Sequence, residues 1–272
     1  MKKLLHLSDI HFGRTDASVI DALTVANRML DPDLVIISGD LTQRARRAQF
    51  EEAQALIRAL HEGTRTVIAV PGNHDLAPFF RPLSRLFRPR SAYDRHITPH
   101  VLNRYADDDV AICGISTERA LRIKEGRISN KDTAEVIEWF GKQGPARTRI
   151  VVSHHPLDLP HASARSLAQG AERAVRAFEQ VPVDLFLSGH LHRGSITRTV
   201  DRYVDARHGA IAIQAGTAST RGRGEHPSFN LLRLDESRLD VDVHTWDPST
   251  GAFIQANSHA FIKEERGWTA AP

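Results

Sequence analysis

Five short motifs carry the residue types with which proteins bind metal ions: carboxylates, imidazoles and an amide. Each follows an apolar run, and three of them contain a glycine beside the polar group. Aspartate, histidine and asparagine offer hard or borderline ligands, which suit manganese, iron or zinc better than thiolate-seeking ions. One such motif alone is explained equally well as a helix cap or a turn, but five together favour a metal site. The motifs are DIH (9–11), GD (39–40), GNHD (72–75), SHHP (153–156) and GHLH (189–192).

The spacing within the motifs favours a site for two ions. Asp9 and His11 are two positions apart, as are His190 and His192, so each pair can point the same way from an extended chain. Asp40 lies between the pairs in the sequence and has two oxygens with which to bridge two ions. Two cations about 3.5–4 Å apart stabilise the attacking and leaving oxygens of a displacement and lower the pKa of water. These residues therefore predict hydrolysis of phosphate esters, whose charged oxygens attract cations.

Predicted strands and helices position the motifs. Continuous apolar runs, typical of strands buried on both faces, end at the five motifs and alternate with segments of helical periodicity. In open sheets with helical connections, ligand sites form beyond the carboxyl ends of the strands, so the motifs are expected to meet at one edge. The predicted strands are 3–10, 33–40, 65–75, 110–116, 149–156 and 183–190, and the predicted helices are 17–30, 45–61, 132–143 (capped by Asp132 or Thr133) and 164–179.

The C-terminal part changes from alternating helices and strands to strand-like segments alone. From 195 to 204 and in most segments that follow, strands separated by polar turns are predicted. One of them alternates apolar and polar residues, as a strand with one solvated face does: Leu239, Val241 and Val243 alternate with Asp240, Asp242 and His244. Alternation followed by strands predicts two packed sheets with helices outside, in one domain that spans residues 1–272.

The order and spacing of the motifs resemble the calcineurin-like metallophosphoesterase superfamily over roughly residues 3–195. The resemblance implies an α/β fold: a four-layer α/β/β/α sandwich of two mixed sheets with helices on both outer faces. Strands in 195–262 are then expected to complete the second sheet. It also implies two divalent or trivalent ions (Mn, Fe or Zn), one held by Asp9, His11, Asp40 and His192, and the other by Asp40, Asn73, His154 and His190.

The same resemblance assigns roles to the residues that follow the amide ligand. His74 is expected to protonate the leaving oxygen or to stabilise the phosphoryl charge, and Asp75 to orient His74 through a hydrogen bond. In relatives the histidine ligand precedes the proline by two residues, which selects His154. His155 is left outside the ligand set, as a residue behind the ligands or beside the substrate.

Within the superfamily, the chain looks most like bacterial class III cyclic nucleotide phosphodiesterases, because of its DIHFG start, its length, SHHP and segment 216–230. This implies a phosphodiesterase in which metal-bound hydroxide attacks the phosphorus of a small phosphodiester, with a 3',5'-cyclic nucleotide as one candidate. A lipid-linked pyrophosphatase of the UDP-diacylglucosamine type, a phosphomonoesterase, a nuclease and a non-catalytic scaffold are the alternatives. Arg221 and Arg223 are either phosphate or base contacts or part of an exposed loop.

The amino-acid composition restricts the classes of binding partner and the cellular compartment that are expected for the chain. A net charge of only +3 without a clustered basic face argues against a stable nucleic-acid partner. A single cysteine, Cys113, excludes a disulfide within the chain, and no apolar stretch is long enough to span a membrane, so a cytoplasmic protein is expected. Residues 76–97 combine aromatic and aliphatic residues with arginines, which fits a substrate lid, a helix in peripheral contact with a membrane, or plain packing. A homo-oligomer stays open.

Overall fold

Two β-sheets lie face to face in the computed structural model of the chain. The residues that the structure describes are 1–63, 66–78, 80–120, 125–144, 147–159, 167–219 and 224–272. The expectations for Arg221 and Arg223, for Phe79, and for the first residues of the predicted helix 164–179 lie outside this part.

The first sheet has seven strands and contains the first three motif-bearing strands. β1 (Lys2–Leu7), β2 (Leu34–Ile37) and β3 (Thr66–Ala69) are parallel. β10 (Ser228–Leu234) pairs antiparallel with β1, and β11 (Arg238–Asp247), β12 (Ala252–Glu264) and β13 (Gly267–Ala270) continue outward as antiparallel neighbours. The strand order is β13-β12-β11-β10-β1-β2-β3.

The second sheet has six strands in the order β4-β5-β6-β7-β9-β8. Its centre is parallel, and the first and last strands are antiparallel to their neighbours. Both sheets are therefore mixed. The strands are β4 (Arg104–Ala106), β5 (Val110–Ile115), β6 (Thr148–Ser153), β7 (Leu185–Ser188), β8 (Ser195–Arg198) and β9 (Ile211–Gln214).

Helices cover both outer faces, which confirms the predicted four-layer sandwich. One face of the first sheet packs against α1 (Ala17–Leu30) and α2 (Arg47–Gly63) through a core that includes Leu23 and Phe50. A second core fills the space between the sheets, and a third lies under α5 (Asn130–Gly141) and α6 (Ala171–Ala177). The shorter helices are α3 (Pro82–Phe87), α4 (Ser91–His96) and α7 (Thr199–Arg202), with 3₁₀ turns at Asn73–Asp75, Thr98–His100 and Phe178–Gln180. Among the described residues, no helix is long and apolar enough to cross a membrane.

Three local predictions were wrong in detail. Ser129, rather than Asp132 or Thr133, caps α5, because its hydroxyl accepts a hydrogen bond from the Asp132 amide while the Asp132 carboxylate accepts one from the Ser129 amide. The predicted strand from 195 ends at Arg198, where α7 begins. The C-terminal strands divide between the sheets: β8 and β9 join the second sheet as expected, whereas β10 to β13 extend the first.

The predicted solvated face of β11 is also wrong. The register shift between Val243 and His244 in the pairing with β12 places the extra residue, Ala256, on β12. The alternation along β11 is therefore kept, and its polar face is covered instead of solvated. Asp242 is buried and bonded to Arg233 and Ser258, and His244 is buried and stacked on Phe229.

A buried carboxylate fastens the C-terminal strand to the second sheet. Asp184 accepts hydrogen bonds from Trp268 Nε1 (3.0 Å) and the Arg149 amide (2.9 Å), and pairs with Lys263 Nζ at 2.9 Å. Although burial opposes ionisation, hydrogen bonding to His208 and the charge of Lys263 lower the pKa of Asp184.

We therefore expect Asp184→Asn to lower the free energy of unfolding at neutral pH by about 2–4 kcal/mol. The pKa of Asp184 is lower in the folded protein than in the unfolded chain. Its stabilisation is therefore fully present at a pH above the unfolded-state pKa, and it is lost as the pH falls through the folded-state pKa. Urea denaturation as a function of pH measures it, with the exposed Asp205→Asn as control. An unfolding curve for Asp184→Asn equal to that of the control would contradict this role.

Candidate metal centre

The five motifs meet at one edge of the sandwich, just beyond the carboxyl ends of β1, β2, β3, β6 and β7. Five of the predicted ligands have left-handed backbone conformations, with φ values of 54° for Asp9, 56° for His11, 53° for Asp40, 77° for His190 and 60° for His192. Such conformations cost about 1–3 kcal/mol each and concentrate at functional sites. They, rather than the predicted alternation of an extended chain, bring the ligands of each pair together.

A glycine in the third motif allows two motifs to approach closely. A Cβ atom at Gly72 would collide with the Asp40 carboxylate and with the Asp40 amide nitrogen. Only glycine therefore lets the turn that carries Asn73 lie against Asp40.

The first predicted ligand set converges on one point. Ligand atoms of Asp9, His11, Asp40 and His192 all lie within 4.8 Å of one another, and all four residues are buried. His192 Nε2 is 3.1 Å from His11 Nε2 and 3.2 Å from Asp9 Oδ1, and His11 Nε2 is 3.6 Å from Asp40 Oδ2.

The second set lies on the other side of Asp40. His154 Nε2 is 3.4 Å from Asp40 Oδ2, 3.1 Å from Asn73 Oδ1 and 3.3 Å from His190 Nδ1. Asp40 Oδ2 is thus close to one histidine of each set, as a bridging carboxylate must be. The structure brings together all seven residues that the sequence and the resemblance suggested.

Hydrogen bonds fix the orientation of several members of this cluster, and sequence reasoning missed all of their partners. His154 Nδ1 donates to the Ser38 carbonyl at 2.9 Å, which directs Nε2 toward Asp40. Asp9 Oδ2 accepts from the Ser8 hydroxyl and from the His190 amide, and the Thr217 hydroxyl donates to the Asp9 carbonyl. These partners are serine, threonine and main-chain groups, which carry no recognisable motif.

The donor set fits a pair of metal ions. It consists of carboxylate oxygens, an amide oxygen and imidazole nitrogens, the ligands that manganese, iron and zinc accept. Asp9 Oδ1 is buried and faces only the ring nitrogens of His192 at 3.2 Å and His11 at 3.6 Å among the described residues. When these rings bind a metal they no longer donate to Asp9, and a buried carboxylate oxygen without a partner is costly. A cation beside it would remove this cost.

Charge interactions within the cluster keep Asp9 anionic, which favours cation binding, and keep a proton on His154, which a bound cation must displace. Although burial opposes ionisation, hydrogen bonding to His11 and His192 holds the pKa of Asp9 well below its usual range. Burial likewise opposes the charge on His154, but the neighbouring Asp40 raises the pKa of His154 to about 10.

A pH dependence of metal binding follows from the pKa of His154. Below about pH 10 the His154 ring is protonated on both nitrogens. A metal ion must displace the proton on Nε2, because metal binds the neutral imidazole. We expect Mn²⁺ affinity to rise with pH, on the order of tenfold per unit where one proton is released. Isothermal titration calorimetry in buffers of different ionisation enthalpy measures the proton release, and an affinity that does not change with pH would contradict it.

His74 and Asp75 are near each other, but the predicted hydrogen bond between them is wrong. His74 Nδ1 meets the Gln43 carbonyl at 2.8 Å. The Asp75 carboxylate instead accepts from the amides of Leu41, Thr42 and Gly72 and from the Thr42 hydroxyl. Asp75 therefore joins the two loops that carry Asp40 and His74, and orients His74 only indirectly.

A cavity of about 400 Å³ opens beside His74 and Asn73. Its wall includes Phe80 and Arg85. Both belong to the segment 76–97, for which a substrate lid, a membrane-contacting helix and plain packing were the alternatives. Plain packing describes Leu76, Tyr93 and Ile97, which are buried, but not α3 and the adjoining Phe80, whose apolar side chains are exposed. Arg85 is 5% exposed and donates to the Ala77 and Ala120 carbonyls, whereas the exposed apolar residues are Phe80 (66%), Leu83 (73%), Leu86 (52%) and Phe87 (73%).

Comparisons with known proteins agree with the geometry of the site. The glycerophosphodiester phosphodiesterase GpdQ of Enterobacter lignolyticus is 27% identical over 213 residues, 72% of this chain and 72% of that protein. A probable GpdQ of Arcobacter nitrofigilis is 26% identical over 182 residues, 64% of this chain and 62% of that protein. Both relatives carry the name of a phosphodiesterase.

A solved dimetal phosphatase from Danio rerio has the same fold. It superposes with a TM-score of 0.64 at 16% identity and covers 95% of this chain and 98% of its own. The model of the calcineurin-like phosphoesterase family matches residues 2–194, the part that contains every motif. The resemblance inferred from the motifs is confirmed: the chain belongs to the calcineurin-like phosphoesterase family, and it is a metal-dependent hydrolase of phosphoric esters.

Proposed function

We propose that this chain hydrolyses small phosphodiesters with two metal ions, held by the two ligand sets that share Asp40. The observation that carries the proposal is the position of Asp40 Oδ2, which is 3.6 Å from His11 Nε2 and 3.4 Å from His154 Nε2. One carboxylate between two converging sets is the arrangement that a pair of cations requires. When bound, two cations polarise the phosphoryl oxygens and lower the pKa of water.

His74 is the residue best placed to act on the departing oxygen. It lines the cavity beside Asn73, and its ring is 4.9 Å from the His11 ring, centroid to centroid. Because Nδ1 is engaged by the Gln43 carbonyl, Nε2 is the nitrogen with which His74 would transfer a proton to the leaving alkoxide. The Thr42 hydroxyl contacts the His74 carbonyl and Asp75 together, which holds the turn in place.

For the substrate, the two GpdQ relatives support a glycerophosphodiester more than the cyclic nucleotide suggested by the motifs. Purified protein loaded with Mn²⁺, Fe²⁺ or Zn²⁺ should be assayed on glycerophosphoethanolamine, a 3',5'-cyclic nucleotide, bis(p-nitrophenyl) phosphate and p-nitrophenyl phosphate. We expect both the glycerophosphodiester and the aryl diester to be hydrolysed. Hydrolysis of the monoester alone would overturn the phosphodiesterase proposal.

A second candidate function follows from α3, whose exposed apolar residues lie beside the catalytic cavity. Three large apolar side chains of α3 and the adjoining Phe80 are each more than half exposed, which is unusual for a surface in water. Arg81 and Arg88, at the two ends of the helix, are exposed as well, so the surface suits an anionic lipid headgroup above an apolar layer. This arrangement favours a substrate with an acyl chain, such as a lipid-linked pyrophosphate, presented at an anionic membrane.

Vesicle binding tests this candidate. We expect the protein to sediment with phosphatidylglycerol vesicles and not with phosphatidylcholine vesicles, and Leu83→Ser with Phe87→Ser to abolish sedimentation. The matched control is Val204→Ser, at another apolar side chain that is 78% exposed. Equal hydrolysis of UDP-diacylglucosamine by wild type and the double variant, with no vesicle binding by either, would remove α3 from substrate recognition.

A further inference from the structure

We propose that His155 is a positioning residue that holds the ring of His190 in its metal-binding orientation, and that Thr117 keeps His155 itself out of the ligand set. The inference rests on the proposed metal centre. It concerns the second histidine of SHHP, which the ligand assignment leaves aside.

His190 is the ligand that lacks the usual support. A metal-bound histidine normally donates its other ring N–H to a carbonyl or carboxylate, which fixes the ring, as Ser38 does for His154. Among the described residues, neither ring nitrogen of His190 has such a partner, and the polar contact of its ring is that of Nδ1 with His154 Nε2, at 3.3 Å.

Ring packing takes the place of that hydrogen bond. The His155 ring lies against the His190 ring, with centroids 4.3 Å apart and planes tilted by 48°. This is the shortest of the ring contacts in the cluster, the His154 ring being 5.1 Å from His190. At this distance the His155 ring restricts the rotation of the His190 ring about its side-chain torsions.

His155 is itself held tightly. Gly126 lies against His155, so closely that a Cβ atom at position 126 would overlap the ring. Thr117 Oγ1 is 2.9 Å from His155 Nδ1 and accepts a hydrogen bond from the His155 amide at 3.2 Å. With 2% of its surface exposed, His155 has no room to change its orientation.

The Thr117 contact also explains why His155 is not a ligand. A ring nitrogen of His155 lies within 4.8 Å of ligand nitrogens of His154 and His190, so distance alone would admit it. The Thr117 oxygen already accepts the His155 amide, and the one described acceptor for its hydroxyl hydrogen is Nδ1. As part of the proposal we assign the Thr117 hydroxyl as the donor to Nδ1, although its oxygen has a second lone pair that can accept. The hydrogen of His155 then lies on Nε2, a buried atom that has no hydrogen-bond partner among the described residues, and Nε2 offers a metal ion no lone pair.

The experiment measures Mn²⁺ binding, because only one of the two ions is held by His190. His155→Ala is expected to weaken one of the two sites by about 10–100-fold, the effect of losing an outer-sphere partner, and to leave the other unchanged. The double variant His155→Phe with Thr117→Val keeps a ring against His190 but removes the ring nitrogens of residue 155 and the hydroxyl of residue 117. Its dissociation constants for both ions should lie within about threefold of the wild-type values. His259→Ala, at an exposed histidine, is the control.

Three results would overturn the proposal. If His155→Ala binds both ions as wild type does, the ring contact positions nothing. If His155→Ala loses one ion completely, as His154→Ala should, His155 is a ligand. If the double variant binds Mn²⁺ as weakly as His155→Ala, a nitrogen of His155 rather than ring packing supports the site. The double variant also provides the test if His155→Ala fails to fold. A wild type that binds two ions but hydrolyses no phosphodiester would refute the proposed function and leave this inference standing.

Discussion

Replacing Asp40 by asparagine is expected to lower kcat/KM for a phosphodiester by at least about 10³-fold and to reduce the bound metal from two ions to one or none. Asp40 Oδ2 is the atom shared by the two ligand sets, and an amide has neither the charge nor the second anionic oxygen for a bridge. Asp40 Oδ1 also accepts the His74 amide at 2.8 Å, so the loop beside His74 loses a charged acceptor as well. Steady-state kinetics and metal analysis by mass spectrometry measure the two effects.

The matched control for this change is Asp21→Asn, because Asp21 is an exposed carboxylate on α1 and the substitution is chemically identical. It should leave turnover and metal content unaltered. Full activity of Asp40→Asn in metal-depleted buffer would refute the two-metal account.

Substituting His74 by alanine is expected to lower kcat by about 10²–10⁴-fold for a substrate with an alkoxide leaving group, the usual contribution of a positioned acid. The loss should be much smaller for bis(p-nitrophenyl) phosphate, because p-nitrophenolate departs without protonation. Metal content should stay at two ions, since His74 belongs to neither ligand set. Comparing kcat for the two substrates measures the difference.

His61→Ala serves as the control, because His61 is an exposed histidine near the end of α2. An equal loss with both leaving groups would contradict a role in protonation and indicate charge stabilisation instead. Loss of a metal ion from His74→Ala would assign the residue to the ligand set.

The location of the centre could be predicted from the sequence, because parallel strands present their carboxyl ends at one edge and five motifs end such strands. The backbone conformations that make the ligands converge could not be predicted from the sequence. Strand alternation was expected to align Asp9 with His11, but β1 ends at Leu7 and both residues are left-handed. Past the end of a strand the alternation of faces no longer applies, and the same holds for His154 and His155, whose rings both approach His190.

Tertiary contacts decided what local patterns could not. Asp75 accepts from the main-chain amides of Leu41 and Thr42 in another loop, which no side-chain motif reveals. The buried arginine of α3 contradicts the rule that charges face water, and its bonds to the carbonyls of Ala77 and Ala120, which no local pattern reveals, help to explain it. The division of the C-terminal strands between two sheets depends on long-range strand pairing, which the alternation of apolar residues does not indicate.

The central claim is that two ions bind on either side of Asp40, and anomalous diffraction from crystals grown with Mn²⁺ tests it most directly. The account predicts two anomalous peaks about 3.5–4 Å apart, one among Asp9, His11 and His192 and the other among Asn73, His154 and His190, with the Asp40 carboxylate between them. A single peak, or two peaks that do not share Asp40, would contradict it.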